Sequence, residues 1–239
     1  MTWSIVAYDA ATGSFGVALA TRFFAAGALC PHAEGGVGAL STQALVNPTY
    51  GPTGLRLLRE GLAAPAIVAA LLESDEGRAH RQLHIQDAAG RIAAHTGVEC
   101  IPWCGHVIHA DERFSVAGNM LAGPEVIEST ARTYQANRDL PFARQLIAAM
   151  KAGEAQGGDK RGKQSAALLI YATEEYPALD LRVDDHIDPL AELTRLEAVS
   201  HERYVHFAKF LPTRASPAGV FDRAIVDAAI ARATSKASR

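Results

Sequence analysis

Met1-Thr2-Trp3-Ser4-Ile5-Val6-Ala7-Tyr8-Asp9, then Ala10-Ala11-Thr12-Gly13, then Ser14-Phe15-Gly16-Val17-Ala18-Leu19-Ala20-Thr21-Arg22, reads as a β-hairpin. Two runs rich in β-branched and aromatic residues flank a short turn that starts with Asp and ends with Gly. The chain enters its core at residue 2, where most termini are polar and frayed. Thr2 is small enough for an initiator methionine to be trimmed before it. Trimming leaves a hydroxyl and a free α-amine on one residue. That amine has an ordinary pKa of about 7.7–8.0, so much of it is neutral near pH 7–8 and accepts a proton. A hydroxyl beside its own base is the threonine form of N-terminal nucleophilic catalysis. A buried hairpin supplies the rigid mount such a nucleophile needs. Threonine at position 2 is also common in proteins where it has no chemical role.

The bulk numbers set limits around that hairpin. The chain has 239 residues, 49% hydrophobic and 21% charged, with a net charge of −3. This is an ordinary soluble globular composition, and one domain over residues 1–239 is the economical reading. The charge balance gives no footprint for nucleic acid or an anionic membrane. No apolar run approaches the ~20 residues of a membrane span, and no charged segment before the apolar start marks a signal peptide. Three cysteines fit a reducing cytoplasm better than a disulfide scaffold. A small-molecule substrate, no cofactor and no metal are expected, with a homodimer as the default assembly.

Beyond the hairpin, Gly35 to Gln43 reads as a strand whose small residues permit close approach. Asn47 to Pro52 is a turn cluster, with Thr49 or Thr53 as N-cap. Helices follow around Leu55 to Leu62 and over Ala63 to Leu72, the second with Pro65 in its first turn. Strand signals return at Arg81–Asp87, Arg91–Gly97 and Phe114–Met120. A helix opens after Gly123-Pro124, and another covers Phe142–Met150. A polar loop, Gly153 to Gly162, leads into strands Ser165–Tyr171 and Leu179–Val183. The spacing of Leu190, Leu193, Leu196, Val199 and Tyr204 predicts one long helix over Pro189–Phe210. Val220–Ala233 reads as a last helix, and residues 234–239 as a loose tail. Strands and helix pairs alternate in blocks, which implies antiparallel sheets with helices grouped into layers.

Several motifs together resemble a widespread bacterial family of Ntn-hydrolase-like proteins, known only as a domain of unknown function. They are Thr2-Trp3-Ser4-Ile5-Val6-Ala7, Gly16-Val17-Ala18-Leu19-Ala20-Thr21-Arg22-Phe23, Thr42-Gln43-Ala44 and Tyr50-Gly51. Further along they are Ala94-His95-Thr96-Gly97, Gly118-Asn119-Met120-Leu121, the Gly157–Ser165 loop and Arg182-Val183-Asp184-Asp185-His186. The resemblance covers residues 2 to about 200, in order. It implies an α+β fold, a four-layer αββα sandwich of two mainly antiparallel sheets, within the N-terminal nucleophile superfamily. It names no substrate. Proteasome-like members of that superfamily carry an Asp on the second strand and a Lys on a later one. Leu19-Ala20-Thr21-Arg22 has no Asp, and Phe23 to Gln43 has no Lys. Arg22 is the available replacement.

The candidate site follows. Thr2 is the expected nucleophile on an amide carbonyl, with its α-amine shuttling the proton. Asn119, after Gly118 at a strand end, is the expected oxyanion donor; its alternative is a residue that turns the chain. Arg22 orients the amine or holds a carboxylate, or else forms a surface ion pair. Thr42 and Gln43 are expected to line the substrate pocket, with ordinary sheet hydrogen bonding as the alternative, and Asp159, Arg161 and Ser165 to edge it or simply to form an ion-paired loop. Gly157-x4-Gly162-Lys163 nearly spells a phosphate-binding loop. Gln164 stands where Ser or Thr belongs, and the loop runs from helix to strand, the wrong order. Cys100-x3-Cys104-x-His106-x2-His109 does not have the spacing of a standard zinc finger. Asp184-Asp185-His186, just before Asp188-Pro189, reads as a strand end followed by an N-cap, with metal or acid–base work as the alternative. Two functions fit: a cytoplasmic amidohydrolase cleaving a small amide or peptide-like metabolite after loss of Met1, or an inactive relic of the same fold that binds a ligand or a partner.

Overall fold

The computed structural model describes residues 2–237. Met1, whose removal the sequence reading requires, and the last two residues of the tail lie outside that range. The opening hairpin forms as expected: β1 (Thr2–Asp9) pairs antiparallel with β2 (Ser14–Thr21), from Trp3 opposite Ala20 to Asp9 opposite Ser14. The Asp9 carboxylate closes the turn, accepting the Ala11 N–H at 3.0 Å and the Thr12 hydroxyl at 2.6 Å. Gly13 takes φ +71° there, a conformation that costs glycine little.

Four more strands join this hairpin: β7 (Gly105–His109), β8 (Phe114–Asn119), β9 (Ser165–Tyr171) and β10 (Leu179–Val183). They form a sheet in the order β10-β9-β2-β1-β8-β7, antiparallel throughout. β1 is therefore a central strand. A second antiparallel sheet runs β3 (Pro31–Glu34), β4 (Gly38–Ala44), β5 (Arg81–Asp87) and β6 (Ile92–Thr96). The sheets stack, with β1 against β4 and β5 against β8. Helices α1 (Tyr50–Arg59) and α2 (Ala64–Glu73) cover the four-stranded sheet. Helices α3 (Glu125–Ala136) and α4 (Phe142–Ala155) cover the six-stranded one. The result is the four-layer αββα sandwich.

Strand alternation sorts the side chains between layers. On the four-stranded sheet Leu40, Leu83 and Ile85 point outward and bury against Tyr50, Leu58, Ile67 and Leu71 of α1 and α2. Between the sheets, Val6, Phe15 and Val17 meet Ala33 and Ala39. Each such buried aliphatic or aromatic side chain contributes about 1.5–3 kcal/mol relative to leaving it in water. Gly118 faces Trp3 across the β1–β8 pair, and a Cβ there would lie 3.0 Å from the Trp3 Cβ and 2.4 Å from Leu121 Cδ1.

Some boundaries differ from the sequence reading. β3 and β7 were not expected; both are short edge strands, and β3 opens on Pro31, which an edge tolerates. The long helix expected over Pro189–Phe210 is interrupted. α5 ends at Ser200, whose hydroxyl donates to the Glu197 carbonyl at 2.6 Å and diverts it from the helix ladder. A short α6 (Tyr204–Phe207) follows after a turn. The last helix, α7, spans Arg223–Ala237. It starts after Asp222, whose carboxylate caps the N–H groups of Ala224 and Ile225 at 2.9 and 3.4 Å. It also runs through Thr234 and Ser235, which were expected in a loose tail. Their hydroxyls fold back onto the carbonyls of Ile230 and Arg232 instead. The chain forms two compact units that divide after Leu193. The first holds the sandwich. The second holds α6 and α7, tied by an Arg203–Asp227 ion pair at 2.8 Å. Among the described residues no helix is long and apolar enough to cross a membrane.

Candidate functional site

Thr2 begins β1 at one end of the space between the sheets, and 5% of its surface is exposed. Two side-chain amides, one from each sheet, converge on its main-chain carbonyl oxygen. Gln43 Nε2 of β4 and Asn119 Nδ2 of β8 both donate to it at 3.3 Å. Each amide gives its other hydrogen to the side-chain oxygen of Gln82 on β5, Oε1, at 2.8 and 2.9 Å. Gln82 Nε2 shares its hydrogens among the Gly118 and Gly105 carbonyls and Thr96 Oγ1, at 2.9, 3.1 and 2.9 Å. The Thr2 hydroxyl donates to Thr21 Oγ1 at 3.3 Å.

A second chain of bonds orients Gln43. The Ser4 hydroxyl donates to Gln43 Oε1 at 2.7 Å. The Ser4 oxygen then accepts from His84 Nε2 at 2.8 Å, and the Ser115 hydroxyl donates to His84 Nδ1 at 2.8 Å. The direction of these bonds assigns the neutral tautomer with its hydrogen on Nε2. His84 is fully buried, and burial, with the neighbouring His106 adding to it, lowers its pKa to about 3. A buried polar chain of this kind is stable only when every member is satisfied. Here each link ends on the next, and the last ends on Thr2.

The backbone bends sharply just past both amides. Ala44 takes φ +72° and Met120 φ +52°. Left-handed backbone costs a non-glycine residue roughly 1–2 kcal/mol, and strain of this kind collects at functional sites. Two cavities open here. One of about 30 Å³ is lined by Thr2, Gln43, Phe23, Leu29, Cys30 and Val46. A water needs roughly 10–15 Å³ of such space. The other, of about 240 Å³, shares Ala44 and is lined by Leu45, Glu99, Cys100, Ile101, Asn119 and Met120. Burial pushes the Cys30 thiol up to about 12 and also raises the Cys100 and Cys104 thiols, so none is a ready thiolate.

The residues singled out from sequence divide into three groups. Thr2, Gln43 and Asn119 meet. Asn119 does not stand free as an oxyanion donor, because both its amide hydrogens are committed to Thr2 and Gln82. Thr42 sits beside Gln43 on β4 but faces the other side of the sheet, where its hydroxyl donates to the Asn47 carbonyl at 3.2 Å. Strand alternation sends neighbours to opposite faces, so Thr42 leaves the pocket. Arg22 also leaves it: its backbone N–H donates to Asp159 Oδ2 at 2.7 Å, while its side chain is exposed in a shallow pocket with Lys163, Gln164, Asp185 and His186.

Asp159, Arg161 and Ser165 form a clamp one step behind the site. The Asp159 carboxylate accepts the Arg22 and Arg161 N–H groups at 2.7 and 2.9 Å and pairs with the Arg161 guanidinium at 3.1 Å. The Ser165 hydroxyl donates to the Phe23 carbonyl at 2.6 Å and accepts from the Ala26 N–H at 3.3 Å. These bonds hold the loop whose Phe23 and Ala26 line the Thr2 cavity. The Asp184–His186 stretch carries loop contacts: Asp184 pairs with Arg182, Asp185 accepts from Gln164, and His186 Nδ1 accepts the Asp188 N–H. Asp188 caps α5 through the Ala191 N–H at 3.2 Å. His106 Nδ1 bonds Thr96 Oγ1 at 2.9 Å, and Cys104 donates to the Cys100 carbonyl. Among the described residues no three His, Cys, Asp or Glu side chains gather as a metal site.

Ser4, Thr21, Gln82, His84 and Ser115 were not singled out from sequence. The available signal was the polar alternation Gln82, His84, Gln86 along β5. It resembles a strand with one wet face, whereas the structure buries that face between the sheets.

A profile of a family of unknown function, DUF1028, matches residues 2–193, the extent of the first compact unit. The crystal structure of protein SPO2555 from Silicibacter pomeroyi, assigned to the same family, superposes with a TM-score of 0.85 at 31% identity, over 93% of this chain and 96% of that one. Anbu, an ancestral beta-subunit from Yersinia bercovieri, aligns with a TM-score of 0.42 at 10% identity, over 83% of this chain and 94% of that one. At that distance the likeness carries nothing about activity. No curated protein matches the chain.

Proposed function

The chain belongs to the DUF1028 family of unknown function, and from that premise we propose that it is an Ntn-type amidohydrolase with Thr2 as nucleophile once Met1 is removed. The observation that carries the reading is the grip on Thr2: its carbonyl oxygen is held from both sheets at once, by Gln43 and Asn119. Such a grip fixes the start of the β1 backbone and leaves the α-amine and hydroxyl as the reacting groups. In the reaction the neutral amine takes the Oγ1 proton while Oγ1 attacks the substrate carbonyl carbon. The proton then passes to the leaving nitrogen, the C–N bond breaks, and an ester remains on Thr2. Water, deprotonated by the same amine, hydrolyses that ester and releases a carboxylic acid. Gln43, Asn119 and Gln82 are positioning residues, and His84 acts through Ser4 on Gln43.

One observation favours a second reading, a ligand-binding protein without chemistry. The segment from Phe23 to Gln43, where proteasome-like proteins place an orienting lysine, holds none. Intact mass combined with Thr2 variants separates the two. Protein from cells should begin at Thr2. Thr2→Ala should lower turnover of an amide substrate by about 10³-fold or more, while Thr2→Ser retains it. Unchanged turnover in Thr2→Ala excludes the nucleophile.

A further inference from the structure

We propose that the amide cleaved here carries an uncharged, apolar acyl group, seated in the cavity that Thr2 itself lines. The inference rests on Thr2 being the nucleophile. During the reaction the acyl group is bonded to Oγ1, so it occupies the cavity that Thr2 faces, and the departing amine occupies another. The cavity beside Thr2 is walled by Phe23, Leu29, Cys30 and Val46. Leu29 and Val46 pack on the buried cluster of Leu19, Ala26 and Ala167. Cys30 stays a neutral thiol, so no wall group among these offers a charge. Gln43, the polar side chain in the wall beside Thr2, already spends its amide hydrogens on Thr2 and Gln82, so a carboxylate or ammonium placed there would lose its hydration without gaining a charged partner, a cost of several kcal/mol.

The neighbouring cavity differs in kind. It shares Ala44 and is reached past Asn119, but Thr2 does not line it, and Glu99 and His80 stand in its wall. A carboxylate suits the amine that leaves. Apolar side chains also stand exposed at this end of the sandwich: Phe23 at 49%, Phe24 at 61%, Leu45 at 64% and Ile101 at 51%. Phe23 borders the acyl cavity, and Leu45 and Ile101 border the other. An approaching apolar group therefore meets apolar surface before it reaches Thr2. Leu45 is held in place from below. Arg81, ion-paired to Asp75 at 2.9 Å, donates to the Leu45 carbonyl at 2.6 Å.

The test uses protein whose N-terminus is confirmed by mass to be Thr2, with p-nitroanilides that differ only in the acyl group. Acetyl, butanoyl, hexanoyl and phenylacetyl members are compared with succinyl and β-alanyl members of similar size. The expected result is that kcat/KM rises with apolar acyl size until the cavity is filled. The best apolar member should exceed both charged ones by at least about tenfold, the scale of a methylene or two in an apolar pocket. Val46→Lys should reverse that order in favour of succinyl, because it supplies the missing cation. Turnover with succinyl or β-alanyl equal to or above the apolar series overturns this proposal and leaves the nucleophile standing. No turnover of any member, with no acyl adduct on Thr2 after the matching p-nitrophenyl esters, overturns the nucleophile and this inference with it.

Discussion

The space between the two sheets has two ends built on opposite principles. At the end away from Thr2 it is filled by Val6, Phe15, Val17, Ala33 and Ala39, which need only fit. At the Thr2 end it is filled by Ser4, Gln43, Gln82, His84, Ser115 and Asn119, which must also aim. Apolar packing contributes stability in proportion to area and tolerates exchange of similar volumes. A buried hydrogen-bonded chain contributes little net stability and is costly when one member is lost. Two strands, β1 and β4, supply both ends; β2 and β3 complete the apolar one, and β5 and β8 the polar one. The polar end thus trades stability for a fixed direction at one carbonyl oxygen.

The sharpest way to break that comparison is Phe15→Ala at the apolar end. It should cost about 3–5 kcal/mol in urea unfolding and leave the chemistry of the remaining folded protein unchanged. Gln82→Leu at the polar end should cost about 3 kcal/mol, since it strands amide hydrogens of both Gln43 and Asn119, at about 1–3 kcal/mol for each buried group left unpaired. Unlike Phe15→Ala, it should also lower kcat with little change in KM. A Gln82→Leu protein as stable and as active as the parent would show that the two ends are equivalent.

Titration sharpens the contrast further. The folded pKa of His84, about 3, lies below the 6.5 of the free side chain. Below pH 6.5 the unfolded chain takes up a proton that the folded protein refuses. The stability present above pH 6.5 is therefore lost progressively as pH falls toward 3, by at most about 1.4 kcal/mol per pH unit. Between pH 6.5 and 5 most carboxylates remain ionised, so unfolding midpoints measured in that window should fall steeply for the parent and more gently for His84→Gln. The smallest effect is expected outside both ends. Arg56→Ala removes an exposed Glu60 pair on α1 and should change stability by no more than about 0.5 kcal/mol.

The fold was largely legible because its defining signals are local. The Asp9–Gly13 turn between two β-branched runs gives the hairpin, and the Phe114–Asn119 run gives its other neighbour. β3 and β7 escaped because four or five residues, with Pro31 or interleaved histidines, carry too little pattern. The break after Ser200 escaped because Val199 and Tyr204 keep an acceptable helical spacing across it. The site was half legible. Gln43 and Asn119, singled out from sequence, lie against Thr2, whereas Thr42 faces the other side of its sheet, since the parity of a strand is set by which sheet covers it. His84 and Gln82 escaped for the same reason: polar alternation looks like a wet face until a second sheet is known to close over it. Arg22 was expected to orient the Thr2 amine, to hold a carboxylate or to form a surface ion pair; its backbone N–H is held by Asp159 and its side chain is exposed.

The position of β1 has a consequence for how the protein is made. Its hairpin partner β2 emerges from the ribosome at once, but Asn119, on the other side, follows 117 residues after Thr2. At about 5–20 residues per second of synthesis, that interval is roughly 6–23 s. Throughout it the leading edge of the nascent sheet is open to a trimming peptidase. Afterwards the strand is enclosed on both flanks. On the proposed function, maturation of the chain's start becomes a race against translation, and protein refolded from denaturant with its methionine still attached should resist trimming more than the nascent chain does.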